Sequence, residues 1–407
     1  MKKCRLFLAL PLSLSLLLCS CDNDKTENGV MIQNYPNCHY DMVSNVYQNG
    51  AVYTSFSESN AAYFLDYESL QSVPLCNKPN CTHSNSSCLA HQCVENSLLP
   101  IVYQNNLYWF ETTSQIIDED DGQSTDYVFH TICYRADMTT GEREKFVEIS
   151  DVSMRDAVEM VIADDVLYVI GCDQAYQEKD GSWSELSRCG DQYLYAIDLT
   201  NAAVKNYGLI NDAPTAHYNW TLNGAMEYSV MLTGVYQNKL YMSYRYVDRP
   251  EDIIDYVEAG DPDNPDWDDN ITKIPWHRVN KCLDLETGKI ENSDLPAADL
   301  IQNNGYVYIE EGDYHFRDAD GSAAKCSHMS WNGMTEITFV GGKLWKGTEN
   351  ICFDPETCEV ISLAKEYQGK DITVLDKYQG KYVIQYVDEN AAYHFESVSE
   401  EDLLADE

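Results

Sequence analysis

The sequence predicts an all-β fold, a β-propeller of seven four-stranded blades with long loop insertions on one face. Three observations lead there. First, a short phrase recurs. It reads Val46-Tyr47-Gln48-Asn49-Gly50-Ala51-Val52-Tyr53, then Val102-Tyr103-Gln104-Asn105-Asn106-Leu107-Tyr108, then Val235-Tyr236-Gln237-Asn238-Lys239-Leu240-Tyr241, with looser copies around Asp165, Gly305, Gly342 and Gly380. Each copy is an apolar strand end, a tight turn of Asn, Asp or Gly residues that tolerate positive φ, and an apolar-aromatic strand. Second, the shortest repeat is about 37 residues, room for four short strands and their turns, and a repeat of that kind is one propeller blade. Third, 30 Tyr residues in a chain that is 44% hydrophobic favour strands and supply an ample core.

The chain begins with Met1-Lys2-Lys3-Cys4-Arg5 and an apolar run from Leu6 to Leu18, a secretory pattern too short to span a membrane as a mature helix. It ends in Leu18-Cys19-Ser20-Cys21, which resembles the bacterial lipobox. That resemblance implies cleavage after residue 20 and a diacylglycerol on Cys21; an ordinary secretory signal is the alternative. Residues 1–20 are therefore read as a lipoprotein signal peptide and residues 21–29 as the lipidated cysteine with a polar tether. Residues 30–398 are one propeller domain, and 399–407 an acidic tail. The expected location is the cell envelope, outside the cytoplasm, with membrane attachment through the lipid.

A second hairpin follows the first in six units, clearest in Cys133-Tyr134-Arg135-Ala136-Asp137-Met138-Thr139-Thr140-Gly141 and Cys282-Leu283-Asp284-Leu285-Glu286-Thr287-Gly288. Its Asp opens the turn by accepting backbone N–H groups, and Gly or Asn takes the left-handed position. This phrase resembles the Leu-Tyr-x-Leu-Asp-x-x-Thr-Gly hairpin of YVTN-type and quinoprotein-like β-propellers. The likeness covers most of the mature chain and implies architecture; such folds host many functions. Eight blades, or six with an irregular insert, are the alternatives to seven. The last unit lacks a fourth strand, and residues 29–33 are expected to supply it from the N-terminus. Insertions at 112–129, 172–192 and 246–279 and the cysteine-rich run 76–93 all connect strands at the same face, which makes that face the expected functional surface.

The run from Cys76 to Cys93 is similar to a segment of uncharacterised cysteine-motif surface lipoproteins of anaerobic bacteria, a likeness that implies no activity. Its donors Cys76, Cys81, His83, Cys88, His91 and Cys93 are candidates for disulfides or a metal. Disulfides would staple a loop that has no core, and the twelve cysteines left after the signal peptide and Cys21 are an even number. The alternative is tetrahedral zinc through Cys76, Cys81, His83 and Cys88. Cys172 with Cys189, and Cys352 with Cys358, are further disulfide candidates. Asp261, Asp263, Asp266 and Asp268 gather hard oxygen ligands of the kind calcium prefers, though a solvated acidic loop has the same composition. Asp318-Ala319-Asp320-Gly321-Ser322 looks similar but occupies a hairpin position. Trp183, Trp267 and Trp276 lie beside the insertions, where they would stack on sugars or fill the base of the loops.

A net charge of -40 repels nucleic acid, which is excluded as a partner. Nucleophile-elbow, zinc-protease, P-loop and dinucleotide fingerprints are absent from the sequence. The function expected is therefore a binding or scaffolding module for a glycan, a peptide or an envelope protein. The alternative is a carbohydrate-active hydrolase or lyase with paired carboxylates in the central channel. The cofactor candidates are calcium and zinc.

Overall fold

Each copy of the recurring phrase forms the first hairpin of an antiparallel sheet. The computed structural model describes residues 31–32, 42–55, 61–76, 78, 80–85, 88–91, 100–120, 124–154, 160–172, 175–178, 187–189, 191–213, 218–219, 221–222, 225–226, 230–246, 248, 277–302, 305–310, 313–326, 337–387 and 393–405. Within them, seven blade sheets follow one another along the chain, and a separate two-stranded sheet pairs Thr221–Leu222 with Ala225–Met226. Blade 1 is Met42–Tyr47, Gly50–Ser55, Ala61–Asp66 and Gln71–Pro74. Blade 2 is Ile101–Tyr103, Asn106–Asp120, Ser124–Asp137 and Arg143–Ser150. Blade 3 contains Met160–Ala163, Val166–Cys172, Gln192–Asp198 and Val204–Leu209. Blades 4, 5 and 6 begin at Met231–Tyr236, Leu300–Gln302 and Ile337–Val340. Blade 7 has three strands among the described residues, Asp371–Tyr378, Lys381–Val387 and Tyr393–Val398.

Burial follows from this arrangement. The second strand of a blade is covered on both faces by the neighbouring blades, so Val166–Cys172 and Lys239–Tyr246 are buried through five successive residues each. The fourth strand lies at the rim, and Gln71–Pro74 and Lys289–Asn292 are largely exposed. Seven apolar clusters form the joints. One, for instance, packs Val52 and Ala62 of blade 1 against Leu107 and Trp109 of blade 2. Another packs Val307 and Phe316 of blade 5 against Phe339 and Leu344 of blade 6. The remaining joints join blades 2–3, 3–4, 4–5, 6–7 and 7–1, so the ring is closed.

The recurring phrase has a physical role beyond its turn. Its Tyr reaches the next blade: the Tyr47 hydroxyl donates to Asn105 Oδ1, and that of Tyr103 to Asp165 Oδ1 at 2.5 Å. Its Asn ties together the two turns of its own blade, Asn49 Nδ2 donating to Asp66 at 3.2 Å and Asn105 Nδ2 to Asp137 at 3.3 Å. In the first two copies the positive φ falls on Gln48 and Gln104, ahead of the Asn; in later copies it falls on both turn residues, Asp164 and Asp165, Gln237 and Asn238, Gly341 and Gly342, and Gln379 and Gly380. Gly50, Asn106 and Lys239 begin the second strands instead. Gly50 is required for space, because a Cβ there would lie 2.1 Å from the Leu65 carbonyl oxygen.

Three further expectations meet a different structure. The insertion at 112–129 is no loop: the second and third strands of blade 2 simply run on, to 15 and 14 residues. The insertion of blade 3 joins it, Ala175–Glu178 pairing with that hairpin and with Ser187–Cys189. These two insertions therefore share one face and one sheet, as expected for insertions on the same side. Among the described residues the N-terminal segment does not complete blade 7; Met31–Ile32 pairs with the first strand of blade 3, at Val161 and Ile162. First strands of successive blades lie beside one another around the axis. The free edge that Met31–Ile32 covers is thus the axial one. Finally, the acidic tail packs on the propeller as far as it is described, to residue 405. Ser399 caps a helical turn at Glu400–Leu403, Leu403 is fully buried between blades 6 and 7, and Glu400 pairs with Lys377 at 3.0 Å.

Candidate metal centre and adjoining cleft

The cysteine-rich loop leaves the outermost strand of blade 1, Gln71–Pro74, and turns back over the start of its third strand. Left-handed residues Asn80 and His83 reverse the chain twice within a few positions. These reversals aim backbone N–H groups at sulfur: Lys78 N–H donates to Cys76 Sγ and His83 N–H to Cys81 Sγ, each at 3.4 Å. His83 Nδ1 lies 3.4 Å from Cys88 Sγ. The ligand atoms of Cys76, Cys81, His83 and Cys88 all fall within 4.8 Å of one another. Cys88 is the anchor, fully buried against Ala61 and Ala90.

The electrostatics of the thiols are unequal. The His83 N–H lowers the Cys81 thiol from its ordinary value, whereas burial pushes Cys88 up to about 11. Soft sulfur donors and one imidazole nitrogen converging this closely could hold one tetrahedral metal ion, and three protein sulfurs plus nitrogen leave no open coordination position.

Of the other sequence candidates, His91 lies in the helical turn after Cys88 and is not among the four converging donors. Cys21 and Cys93 lie outside the described residues, as do Trp183, Asp261, Asp263, Asp266, Trp267, Asp268 and Trp276. Among the described cysteines, Cys76, Cys81, Cys88, Cys133, Cys282, Cys352 and Cys358 are free thiols. The side chain of Cys189, the partner expected for Cys172, lies outside the described residues. Cys352 and Cys358 are not bridged. Cys352 is buried with Trp345 and Tyr382 in the joint between blades 6 and 7, which raises its thiol to about 12, while Cys358 is exposed on the hairpin turn. Cys358 does take the left-handed position that Gly holds in sister turns, at φ 60°. Cys133, Cys282 and Cys352 are buried among apolar side chains and act as core fillers. Asp318 accepts N–H groups from Asp320 and Ser322, the hairpin role expected of it.

Beside the loop lies a cleft of about 550 Å³ between blades 1 and 2. Val73, Leu75 and Leu89 form one wall and Met138 the other, with Lys78 and Arg143 adding positive charge. Cys76 lines the same wall. No acidic residue borders the cleft among the described residues, although the chain carries 67 Asp and Glu. Val73 is 52% exposed, unusual for a large aliphatic side chain in this structure. Sequence reasoning missed these residues because they come from separate blades; the only local hint was an apolar Val at the end of an otherwise polar rim strand.

Two carboxyls elsewhere are pushed above their ordinary range, Asp299 before the first strand of blade 5 and Asp376 in the first strand of blade 7. The protein packed around each is the first cause, and neither is shifted by a second carboxylate. This differs from the coupled pair that glycoside hydrolysis uses.

No known protein family matches the sequence, and no curated protein matches it. Among solved structures, the chain is similar to an acylaminoacyl peptidase of Pyrococcus horikoshii at 12% identity and a TM-score of 0.36, over 75% of this chain and 45% of that one. It therefore spans less than half of that peptidase. It is also similar to an α-L-arabinanase of Penicillium chrysogenum, at 9% identity and a TM-score of 0.33, over 93% and 99% of the two chains. An oligogalacturonate lyase of Vibrio parahaemolyticus matches at 9% identity and a TM-score of 0.29, over 84% and 88%. Likenesses this distant carry no activity across.

Proposed function

We propose that this propeller is a lipid-anchored, extracytoplasmic binding module, and that the cleft between blades 1 and 2 takes an extended peptide segment bearing apolar side chains and a carboxylate. One observation carries this reading: an apolar cleft whose described lining residues include the cations Lys78 and Arg143 and no acid, in a chain of net charge -40. Acidic surface charge acts at long range but is screened beyond about 8–10 Å at physiological salt. A carboxylate seated between Lys78 and Arg143 would feel those near charges first. Burial of Val73, Leu75, Leu89 and Met138 supplies the apolar part of the affinity. The anchor belongs to the same proposal, with Cys21 as the acylated residue. It keeps the module at the membrane surface, where its peptide partner would belong to an envelope protein.

The test is a peptide array with free and amidated C-termini, probed with the domain beginning at Asp22. Bound peptides are then titrated against Val73→Asp and Arg143→Glu. Each change should weaken binding at least tenfold while leaving the thermal transition unchanged. Peptides that bind both variants as tightly as the parent protein would remove the cleft from consideration. Anchoring is read separately, as incorporation of labelled fatty acid in cells, lost in Cys21→Ser.

A further inference from the structure

We propose that Cys76, Cys81, His83 and Cys88 hold a single structural zinc ion that orders the loop after blade 1. The inference goes beyond the binding reading and does not depend on it.

Three observations converge. The first is distance. Tetrahedral zinc, with bonds of about 2.3 Å to sulfur and about 2.0–2.1 Å to nitrogen, sets sulfur–sulfur edges of roughly 3.8 Å and sulfur–nitrogen edges of roughly 3.5 Å. The His83–Cys88 edge is already 3.4 Å, and no pair among the four ligand atoms exceeds 4.8 Å. Closing the widest pair onto an ion needs a movement of about 1 Å, within reach of a side-chain adjustment.

The second is the pair of N–H groups aimed at sulfur, from Lys78 to Cys76 and from His83 to Cys81. A donor there stabilises a sulfur that carries negative charge, and metal-bound sulfur is thiolate. A disulfide sulfur carries no such charge, so the same two turns would gain little from a bridge.

The third is what the loop lacks. Between Cys76 and Cys88 the chain is Asn, Lys, Pro, Thr, His and Ser around Cys81, with nothing apolar to bury. Cys88 and Ala90 alone are buried at its far end. A segment of this composition needs a cross-link to hold one conformation. Any disulfide among the three sulfurs leaves one thiol over, whereas one ion uses all three and the imidazole. Three sulfurs and one nitrogen in a tetrahedron suit zinc and are poor ligands for calcium or magnesium. Four protein ligands close the site, which makes the ion structural.

The experiment uses the domain beginning at Asp22, purified without chelator and measured by native mass spectrometry and elemental analysis. The expected result is one zinc per chain, with Cys76, Cys81 and Cys88 becoming available to alkylation only after denaturation with chelator. Cys81→Ser and His83→Ala should each lower zinc affinity at least a hundredfold with an unchanged far-ultraviolet spectrum. Cys358→Ser should keep the full complement. Cobalt in place of zinc should give the absorption of a tetrahedral thiolate site, which reports the ligands independently of folding. A metal-free chain lighter by the two hydrogens of a disulfide, with the bridge mapped among these cysteines, overturns the proposal. So does zinc that persists undiminished in Cys81→Ser, since the ion would then sit elsewhere. Reduced, metal-free protein that fails to take up added zinc at micromolar concentration overturns it as well.

Discussion

Replacing Gly347 with Ala isolates how tightly blade 6 is pressed against blade 7. Gly347 opens a single 3-10 turn after the second strand of blade 6 and does not occupy the left-handed region. On backbone grounds alone, Ala would therefore be tolerated and would stabilise by about 0.4–1 kcal/mol through the unfolded chain. Packing reverses the sign. A Cβ at this position would lie 1.4 Å from the Ile372 carbonyl oxygen and 2.6 Å from its carbon, in the first strand of blade 7. Backbone cannot rotate aside as a side chain does, so either the turn or the strand must shift by roughly 2 Å to restore ordinary contact. The shift also disturbs Asn350, whose side chain donates to Gly347 O at 2.9 Å and Lys370 O at 3.1 Å. Overpacking of this kind costs about 1–3 kcal/mol or more. With the unfolded-state gain subtracted, a net loss of about 2 kcal/mol is expected. For a chain of this size that is a fall in Tm of about 2–3 °C. Urea unfolding followed by tryptophan fluorescence, with calorimetry beside it, measures the change. Gly342→Ala is the control, since nothing lies within 4 Å of its Cβ and only its φ of +81° opposes substitution. A Gly347→Ala protein as stable as the parent would refute the tight joint.

Two further outcomes follow from the structure. Leu403→Ala removes the fully buried side chain that fastens the end of the chain between blades 6 and 7, and should cost about 2–3 kcal/mol in urea unfolding and expose the C-terminus to protease; unchanged stability and digestion would mean the segment is incidental. The pH dependence should have a maximum. Asp66, Asp137 and Asp284 are held below the ordinary carboxylate range, first by the N–H groups of Ser69, Thr140 and Thr287. Since each is lower folded than unfolded, the contribution of these turns is complete above about pH 5 and is lost as pH falls through about 4. Self-repulsion of the acidic surface works oppositely, easing as pH falls from 7. Tm should therefore rise between pH 7 and about 5 and drop below about 4; a rise continuing to pH 3 would show that the turn carboxylates contribute nothing.

Much of the fold was legible because propeller blades are local objects. Each hairpin is closed by residues a few positions apart, so Asp137-Met138-Thr139-Thr140-Gly141 announces its own turn, and its amides bond Asp137 as the phrase implies. The exact turn positions were less legible, since Gln48 and Gln104 adopt positive φ without a side chain suited to it. The strand character of 112–129 had a signal that went unused, namely Thr112-Thr113 and Ile116-Ile117 before Asp121-Gly122 and Tyr127-Val128-Phe129 after it. The partner of Met31–Ile32 lies 130 residues away and no local pattern could name it. At the candidate metal centre the residue types were visible, and the four donors singled out in the sequence are the four that converge. The cleft was invisible, because it exists only where the rim of one blade meets a turn of the next.

The joint between blades 7 and 1 differs in kind from the other six. Elsewhere the chain passes directly from one sheet to its neighbour. Here, among the described residues, side chains alone hold the two ends: Tyr53 against Phe395, Tyr67 against Tyr378, and Leu375 and Val383 beneath them. The molecule is in effect a belt whose buckle is aromatic, and among the described residues the buckle can open without breaking a backbone ladder. Opening releases two faces shaped for each other. In crowded solution those faces can meet on different chains, so an end-exchanged pair is the natural first product of a loosened ring.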